Sequence, residues 1–169
     1  PDQCLEDGQT LHGDGWQIQA LWTPGHFGNH MCFDWQGQVF CGDLVMGWAS
    51  SLVSPPDGDL SDFMTSCRRL LAHDADVLHP GHGAPVADPA ARVRWLIAHR
   101  EAREAAIIEN LRHGPATAST LTRAIYTDTP AQLIPAATRN VLAQLIDLTI
   151  KRSATHDDPL HANAVFHLI

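Results

Sequence analysis

The sequence has no long apolar run and no excess of positive charge. Its apolar stretches fall well short of the roughly 20 residues that cross a bilayer, and no basic segment followed by an apolar one opens the chain. Lys and Arg number 11 against 19 Asp and Glu, which gives a formal net charge of −8. This composition predicts a soluble, cytoplasmic protein with no membrane partner, and it argues against a protein whose main role is to bind duplex nucleic acid.

Cysteine is scarce, and its spacing excludes a common structural zinc site. The sequence has four cysteines, and no two of them form a Cys-x-x-Cys pair, so a zinc knuckle is not expected. Cys32 and Cys41 flank a predicted two-residue turn at Gln36-Gly37, which places them opposite each other on neighbouring strands. Thiols of a cytosolic protein stay reduced, and we expect both of these to be buried.

The first half of the chain predicts a layered α/β arrangement. Residues 16–21 alternate apolar and polar side chains, which is typical of a strand. Apolar residues recur at helical spacing over 60–71, with Asp59 or Ser61 as the expected helix cap. Three further strands are predicted, at 31–35, 39–41 and 76–79. Only one strand is thus expected before position 26, and we assign a first domain to residues 1–87.

From residue 88 onward the sequence predicts mostly helix. Asp88-Pro89 is typical of a helix start and Gly114-Pro115 of a helix end. Two more helices and a strand are predicted after it, at 118–126, 130–150 with an interruption at Pro135, and 165–169. Three helices followed by a small β element outline a winged helix, and we assign this second domain to residues 88–169.

The second domain has few positive charges for binding nucleic acid. Arg139, Lys151 and Arg152 lie on or after its third helix, close in sequence to Asp147 and Asp157. This is too little positive charge for a duplex binder, so we expect the domain to pack on a catalytic domain or to shape a substrate cleft. The charges of the long helix predict a solvated face: Arg92, Arg94, Arg100, Glu101, Arg103 and Glu104.

Three short motifs place metal-binding side chains beside glycine or proline at the ends of predicted strands. They are Thr23-Pro24-Gly25-His26-Phe27-Gly28-Asn29-His30, Cys41-Gly42-Asp43 and His79-Pro80-Gly81-His82-Gly83. Loops at strand ends can bring distant residues to one point, and small residues leave room for a metal ion. Imidazole and carboxylate together suit zinc, iron or manganese.

These motifs, in this order, resemble the metallo-β-lactamase superfamily. The resemblance is strongest to the branch that includes glyoxalase-II-like hydrolases and a beta-lactamase-like endoribonuclease with a C-terminal winged helix. It extends over the helix around Asp62-Phe63-Met64 and over residues 99–104, which match the start of the helical tail of that branch. The resemblance implies an α+β fold, namely the C-terminal half of an αββα sandwich followed by a mostly helical, winged-helix-like domain.

The resemblance also implies roles for three residues. His26 would be a ligand of a first metal ion, Asp43 the catalytic carboxylate that bridges two ions, and His82 a ligand of the second ion. The full-length protein would hold two zinc ions, with manganese or iron as alternatives. Two ions about 3.5–4 Å apart would polarise the substrate and activate water.

The sequence departs from the family pattern in two places. Phe27 stands where the family usually has threonine after the ligand histidine, which changes the surroundings that orient the ligand. The principal motif of the family, His-x-His-x-Asp-His, does not occur in the sequence. We therefore expect this chain to be a fragment with an incomplete metal site that is inactive alone and holds no stoichiometric metal pair, because zinc sites use three or four protein ligands.

The remaining histidines predict structural roles. His30 is expected to be a hydrogen-bonded histidine near the site, whereas His79 is ambiguous between such a role, with its side chain away from the loop, and that of a ligand. The other seven are expected at the surface or at helix ends: His12, His73, His99, His113, His156, His161 and His167.

Two hypotheses for function follow. The first is a metal-dependent hydrolase of esters, thioesters or phosphodiesters, with a small-molecule thioester or ester, or single-stranded RNA, as substrate. The alternative is a nucleic-acid-binding or regulatory winged-helix module on a degenerate hydrolase scaffold. Under the first hypothesis the apolar surface left open by an incomplete sandwich predicts a homo-oligomer of this fragment.

Overall fold

The computed structural model describes residues 4–157 and 159–169. The chain forms two compact units. The first contains the residues up to Ser51 together with Ser61–Ile97, and the second contains Leu52–Leu60 and Ala98–Ile169. The boundary expected between residues 87 and 88 stays a prediction.

A five-stranded sheet forms the centre of the first unit. In spatial order its strands are β1 (Thr10–Gly13), β2 (Trp16–Trp22), β3 (Met31–Trp35), β4 (Gln38–Gly42) and β5 (Val77–Pro80). Strands β1 to β4 are antiparallel neighbours, whereas β5 runs parallel to β4. The predicted turn at Gln36-Gly37 is confirmed, since both residues have positive φ and Trp35 pairs with Gln38, as in a tight hairpin. The expectation of one strand before His26 is wrong, because β1 also precedes it.

The apolar side chains on one face of this sheet are buried, and α1 (Leu60–Ala72) lies on this face. We call it the covered face, and its apolar members are at most 4% exposed: Leu21, Cys32, Val39, Cys41 and Leu78. The helix contributes Phe63, Cys67 and Leu70, which are equally buried. Its end is fixed to the same face by His73, whose Nε2 lies 2.9 Å from Asp34 Oδ2. The four cysteines are free, and Cys32 and Cys41 are buried as predicted.

The opposite face of the sheet, called here the open face, exposes aromatic side chains. The register of the strands places on it Trp16 (45% exposed), Trp22 (48%), Trp35 (43%) and Phe40 (44%). Phe33 and Met31 lie between these rings and are only half-buried. A sheet normally buries one apolar face against another layer, so aromatic rings on the second face indicate a surface that is suited to an apolar partner.

The second unit is helical with a small sheet. Its helices are α2 (Pro89–Arg112), which belongs to this unit from Ala98 onward, α3 (Ala118–Ile125) and α4 (Ile134–Ile150). Strands β6 (Ala116–Thr117), β7 (Ala154–His156) and β8 (Val165–Leu168) form an antiparallel sheet in the order β6-β8-β7. Buried side chains from all these helices surround Phe166. The predicted interruption near Pro135 is confirmed as a restart, because a 3-10 helix over Ala131–Leu133 precedes α4 and Pro135 stands in the first turn of α4. Proline is tolerated there because the backbone N–H has no helical partner.

The start of α2 is confirmed, but the expected solvated face along it is confirmed only for Arg94 and Glu101, which are exposed. Asp88 caps the helix by accepting a hydrogen bond from the backbone N–H of Ala91 at 2.9 Å. Arg100 is only 2% exposed, and Arg92 donates to two backbone carbonyls. Charge periodicity alone cannot separate a solvated arginine from one whose aliphatic stem is buried. Within the described residues, no helix has the length and apolarity needed to cross a membrane.

Candidate metal centre

The topology of the sheet brings the three sequence motifs to one edge. Strands β2 and β4 run in the same direction because each is antiparallel to β3, and β5 is parallel to β4. The carboxyl ends of β2, β4 and β5 therefore lie at the same edge. His26 follows β2, Asp43 follows β4 and His82 follows β5, so their loops leave the sheet side by side.

The three predicted ligands meet at one carboxylate oxygen. Asp43 Oδ2 lies 3.8 Å from His26 Nε2 and 3.6 Å from His82 Nε2. The side chain of His26 is 14% exposed, that of Asp43 29% and that of His82 71%. The carboxylate thus stands between one sheltered imidazole and one that is open to solvent.

The second oxygen of Asp43 is buried without a hydrogen-bond partner among the described residues. Gly81 lies directly against it, since a Cβ at position 81 would be 2.8 Å from Asp43 Oδ1. A carboxylate oxygen that is buried and unpaired is costly in free energy, unless a cation or a donor group compensates for it. The environment of Asp43 therefore indicates that a cation or a donor group compensates for its negative charge.

His30 is a hydrogen-bonded histidine that packs next to the site, as the sequence predicted. Its Nδ1 lies 3.0 Å from the hydroxyl of Thr23, and its Nε2 would be 2.7 Å from a Cβ at Gly42, where φ is +50°. Burial lowers the pKa of His30, and the neighbouring His26 lowers it further. A neutral His30 therefore packs beneath the loop that carries Asp43, and only glycine leaves space for it. The role of Thr23 was not predicted, because a lone threonine gives no signal in the sequence.

The loop that carries His26 is held against α1. A Cβ at Gly25, where φ is +135°, would lie 2.3 Å from the backbone Cα of Phe63. The hydroxyl of Ser66 donates to the carbonyl of Pro24 at 2.7 Å. These two contacts fix the backbone immediately before His26.

His79, whose role the sequence left open, points away from the site. Its Nε2 lies 2.8 Å from Gln38 Oε1, and its ring stacks on Phe40 with a centroid distance of 5.2 Å. Both contacts are on the open face of the sheet, so this histidine is not a ligand of the same centre.

The segment after Asp43 is fixed by hydrogen bonds that the sequence did not reveal. Arg92 donates from Nε to the carbonyl of Met46 and from Nη2 to the carbonyl of Ala49, both at 2.7 Å. The hydroxyl of Ser51 donates to the carbonyl of Leu44 at 2.9 Å. The two acceptors of Arg92 lie on either side of Gly47 and Trp48 in the sequence. The side chain of Trp48 itself is 69% exposed.

The geometry around Asp43 fits shared coordination by two ions. A carboxylate oxygen and an imidazole nitrogen that bind one zinc ion tetrahedrally at about 2.0–2.1 Å each are separated by about 3.3–3.4 Å. The observed separations of 3.6 and 3.8 Å exceed that range by a few tenths of an ångström. Across residues 4–157 and 159–169, no group of three or more His, Cys, Asp or Glu is arranged to hold one ion. The arrangement is therefore two pairs that share Asp43.

Comparison with known proteins supports the same fold. Residues 117–158 match the family described as "Beta-lactamase associated winged helix domain". Over 98% of its length the chain superposes, with a TM-score of 0.83 and 29% identity, on 54% of a metallo-beta-lactamase family protein from Thermus thermophilus. The predicted α+β fold with a C-terminal winged helix is confirmed.

Two relatives, a thioesterase and a lactamase-like protein, share sequence similarity with this chain. The chain is 31% identical over 145 residues to an atrochrysone carboxyl ACP thioesterase from Aspergillus fumigatus, covering 78% of this chain and 45% of the relative. It is 37% identical over 103 residues to the lactamase-like protein adaB from Aspergillus niger, covering 60% and 31%. The chain thus spans less than half the length of these relatives. It belongs to the metallo-β-lactamase superfamily of hydrolases, in the form that carries a C-terminal winged helix.

Proposed function

We propose that this chain supplies part of the active site of a metal-dependent hydrolase of esters, thioesters or phosphodiesters. The observation that carries the proposal is the position of Asp43, with one oxygen facing the imidazoles of His26 and His82 and the other buried without a partner among the described residues. His26, Asp43 and His82 would hold divalent ions, with zinc as the first expectation and manganese or iron as alternatives. Such ions act as Lewis acids that activate water near neutral pH and polarise the reacting group.

The residues of this chain have distinct tasks in that proposal. Asp43 would be the ligand common to both ions, and Gly81 keeps space beside its buried oxygen. His26 is fixed through the Gly25 contact with α1, whereas the exposed His82 can adjust when an ion binds. Two ligands for each ion fall short of the three or four of a stable zinc site, so we expect this chain alone to bind metal weakly and to be inactive.

Calorimetric titration of zinc into the chain tests the metal part of the proposal. We expect weak binding that falls by about tenfold or more in Asp43→Asn, because that change removes the charge that both pairs share. Asp14→Asn is the matched control, since Asp14 is an exposed aspartate in the turn between β1 and β2. Equal zinc affinity in the two variants would contradict the proposal, and two tightly bound ions per chain would contradict the incomplete site.

The hydrolytic part needs a protein that covers the full length of the relatives. The name of the Aspergillus fumigatus relative favours a thioester among the three substrate classes. Such a protein should cleave a thioester, an ester or a phosphodiester only with zinc or manganese, and should lose that activity in Asp43→Asn. Absence of cleavage in all three classes with either metal would remove the hydrolase proposal.

A nucleic-acid-binding role of the winged helix has less support. Within the second unit, Arg139 Nη1 lies 3.2 Å from Ser54 Oγ, and Lys151 Nζ lies 2.8 Å from Glu104 Oε2 and 2.7 Å from Asp147 Oδ2. These cations are thus engaged inside the unit rather than offered to phosphates. A salt-dependent gel shift of single-stranded RNA without metal would favour this second role.

A further inference from the structure

We propose that Phe27 and Trp48 form the walls of a subsite for a planar aromatic acyl group of the substrate. The inference rests on the proposed function and names the substrate class of that same site. One ring lies beside the imidazole of His26, and the other lies beside the residue that follows His82. Both rings are exposed.

The ring of Phe27 lies beside the first imidazole. Its centroid is 4.3 Å from that of His26, with the two planes tilted by 59°, and 48% of the residue is exposed. A short polar side chain at this position could not extend an apolar surface from the imidazole into solvent. Phe27 therefore leaves an aromatic surface next to the imidazole that faces Asp43.

The ring of Trp48 lies beside the loop of the second imidazole. Its Cδ1 would be only 3.1 Å from a Cβ at Gly83, the residue that follows His82, and Trp48 is 69% exposed. Indole is a large apolar surface, and leaving it in water costs free energy. An exposed indole beside a catalytic centre is typical of a surface that a ligand covers.

The loop of Trp48 is held firmly enough to present the ring. The two hydrogen bonds of 2.7 Å from Arg92 bracket the residue at Met46 and Ala49. Gly47 packs at ordinary distance against Val86, whose Cγ2 would be 3.5 Å from a Cβ at position 47. An ordered ring binds a flat partner with little loss of conformational entropy.

The occupant that fits is a planar aromatic group rather than a small acyl group. Aromatic rings attract each other in offset or edge-to-face arrangements with centroids about 4.5–7 Å apart. The pair of rings therefore favours substrates whose acyl group is a flat ring system.

Calorimetric titration with 2-naphthoate and propionate, in the presence and absence of zinc, tests this inference on the chain itself. We expect 2-naphthoate to bind more tightly than propionate, and Trp48→Ala to weaken the binding of 2-naphthoate by about three- to tenfold, with a similar loss in Phe27→Thr. Trp48→Phe should retain most of the binding. Ile150→Ala is the control, since it removes another exposed apolar side chain, 65% exposed, from the second unit.

The possible outcomes separate this inference from the proposed function. Equal effects of Trp48→Ala and Ile150→Ala, equal affinity for 2-naphthoate and propionate, or no measurable binding of 2-naphthoate would each overturn the aromatic subsite. If zinc strengthens carboxylate binding while Trp48 has no effect, the subsite fails and the metal proposal stands. If binding depends on Trp48 while zinc binding is unaffected by Asp43→Asn, the metal proposal fails and the aromatic surface stands.

Discussion

Both faces of the five-stranded sheet present apolar side chains, but in opposite environments. On the covered face the apolar side chains are at most 4% exposed, whereas four aromatic residues of the open face are 43–48% exposed. The covered face contains small and branched residues, such as Cys32 and Val39, that interdigitate with helix side chains. The open face contains Trp and Phe, which bury large areas when a flat partner covers them.

This difference shows which face of the sheet is packed by other parts of the same chain. The covered face, α1 and the metal-site loops form one packed unit, and their contacts fix the loops that carry His26 and Asp43. The open face contributes little to that packing and presents apolar area to its surroundings. Stability of this chain should therefore depend on the first face, and association on the second.

The largest effect is expected when the covered face loses a buried ring. Phe63 is fully buried, so Phe63→Ala should lower the free energy of unfolding by about 3–5 kcal/mol through lost burial and a remaining cavity. Phe40→Ala on the open face removes the same ring from a position that is 44% exposed, and should cost less than about 1 kcal/mol. Urea unfolding of the two variants measures the difference. Similar losses in both would show that the two faces are energetically alike.

A smaller effect is expected in the reactivity of the thiols on the covered face. Burial raises the pKa of Cys32 to about 11 and that of Cys41 to about 12. A raised pKa lowers the fraction of thiolate at any pH below it. At pH 8, a thiol whose pKa is raised from 9.0 to about 11 therefore holds about a hundredfold less of the reactive form.

Labelling with a disulfide reagent at pH 8 measures this difference. Cys4, which is exposed, should react first, and Cys32 and Cys41 should react at least about a hundredfold more slowly. The slow thiols should become faster in Phe63→Ala and stay unchanged in Phe40→Ala. Rapid reaction of all thiols in the native chain would mean that the covered face is not sealed.

The smallest effect concerns association through the open face. We expect the chain to form a dimer or a higher oligomer by covering these rings, and Trp35→Lys should raise the dissociation constant by about tenfold because it places a charge in an apolar contact. Ile150→Lys is the control, since Ile150 is 65% exposed in the second unit. Light scattering over a range of concentrations measures both. A clean monomer at high concentration would exclude association through this face.

The sequence predicted those features whose causes are local. Alternation over residues 16–21 and helical spacing over 60–71 indicated β2 and α1, and the glycines beside His26, Asp43 and His82 indicated loops at strand ends. The meeting of His26, Asp43 and His82 at one carboxylate oxygen depends on the directions of the strands that precede them. The family resemblance implied this arrangement, whereas no single motif could establish it.

Features that depend on distant contacts were not predicted. Arg92 is 46 positions from its hydrogen-bond partner Met46 and 43 positions from its partner Ala49. The burial of Arg100 depends on tertiary packing rather than on helix periodicity. Strand β1 (Thr10–Gly13) was missed because Leu11 is its one large apolar residue, which leaves no alternation of apolar and polar side chains to recognise.

The contact between Gly25 and Phe63 has a consequence for anyone who redesigns the loop around His26. Because a methyl group at position 25 would overlap the backbone of α1 and would also require an unfavourable φ, a mutant library of this loop must keep that glycine constant. Any larger residue would displace the helix or the imidazole. Loss of metal affinity in such a mutant would then report altered scaffold geometry, even though every coordinating side chain is still present.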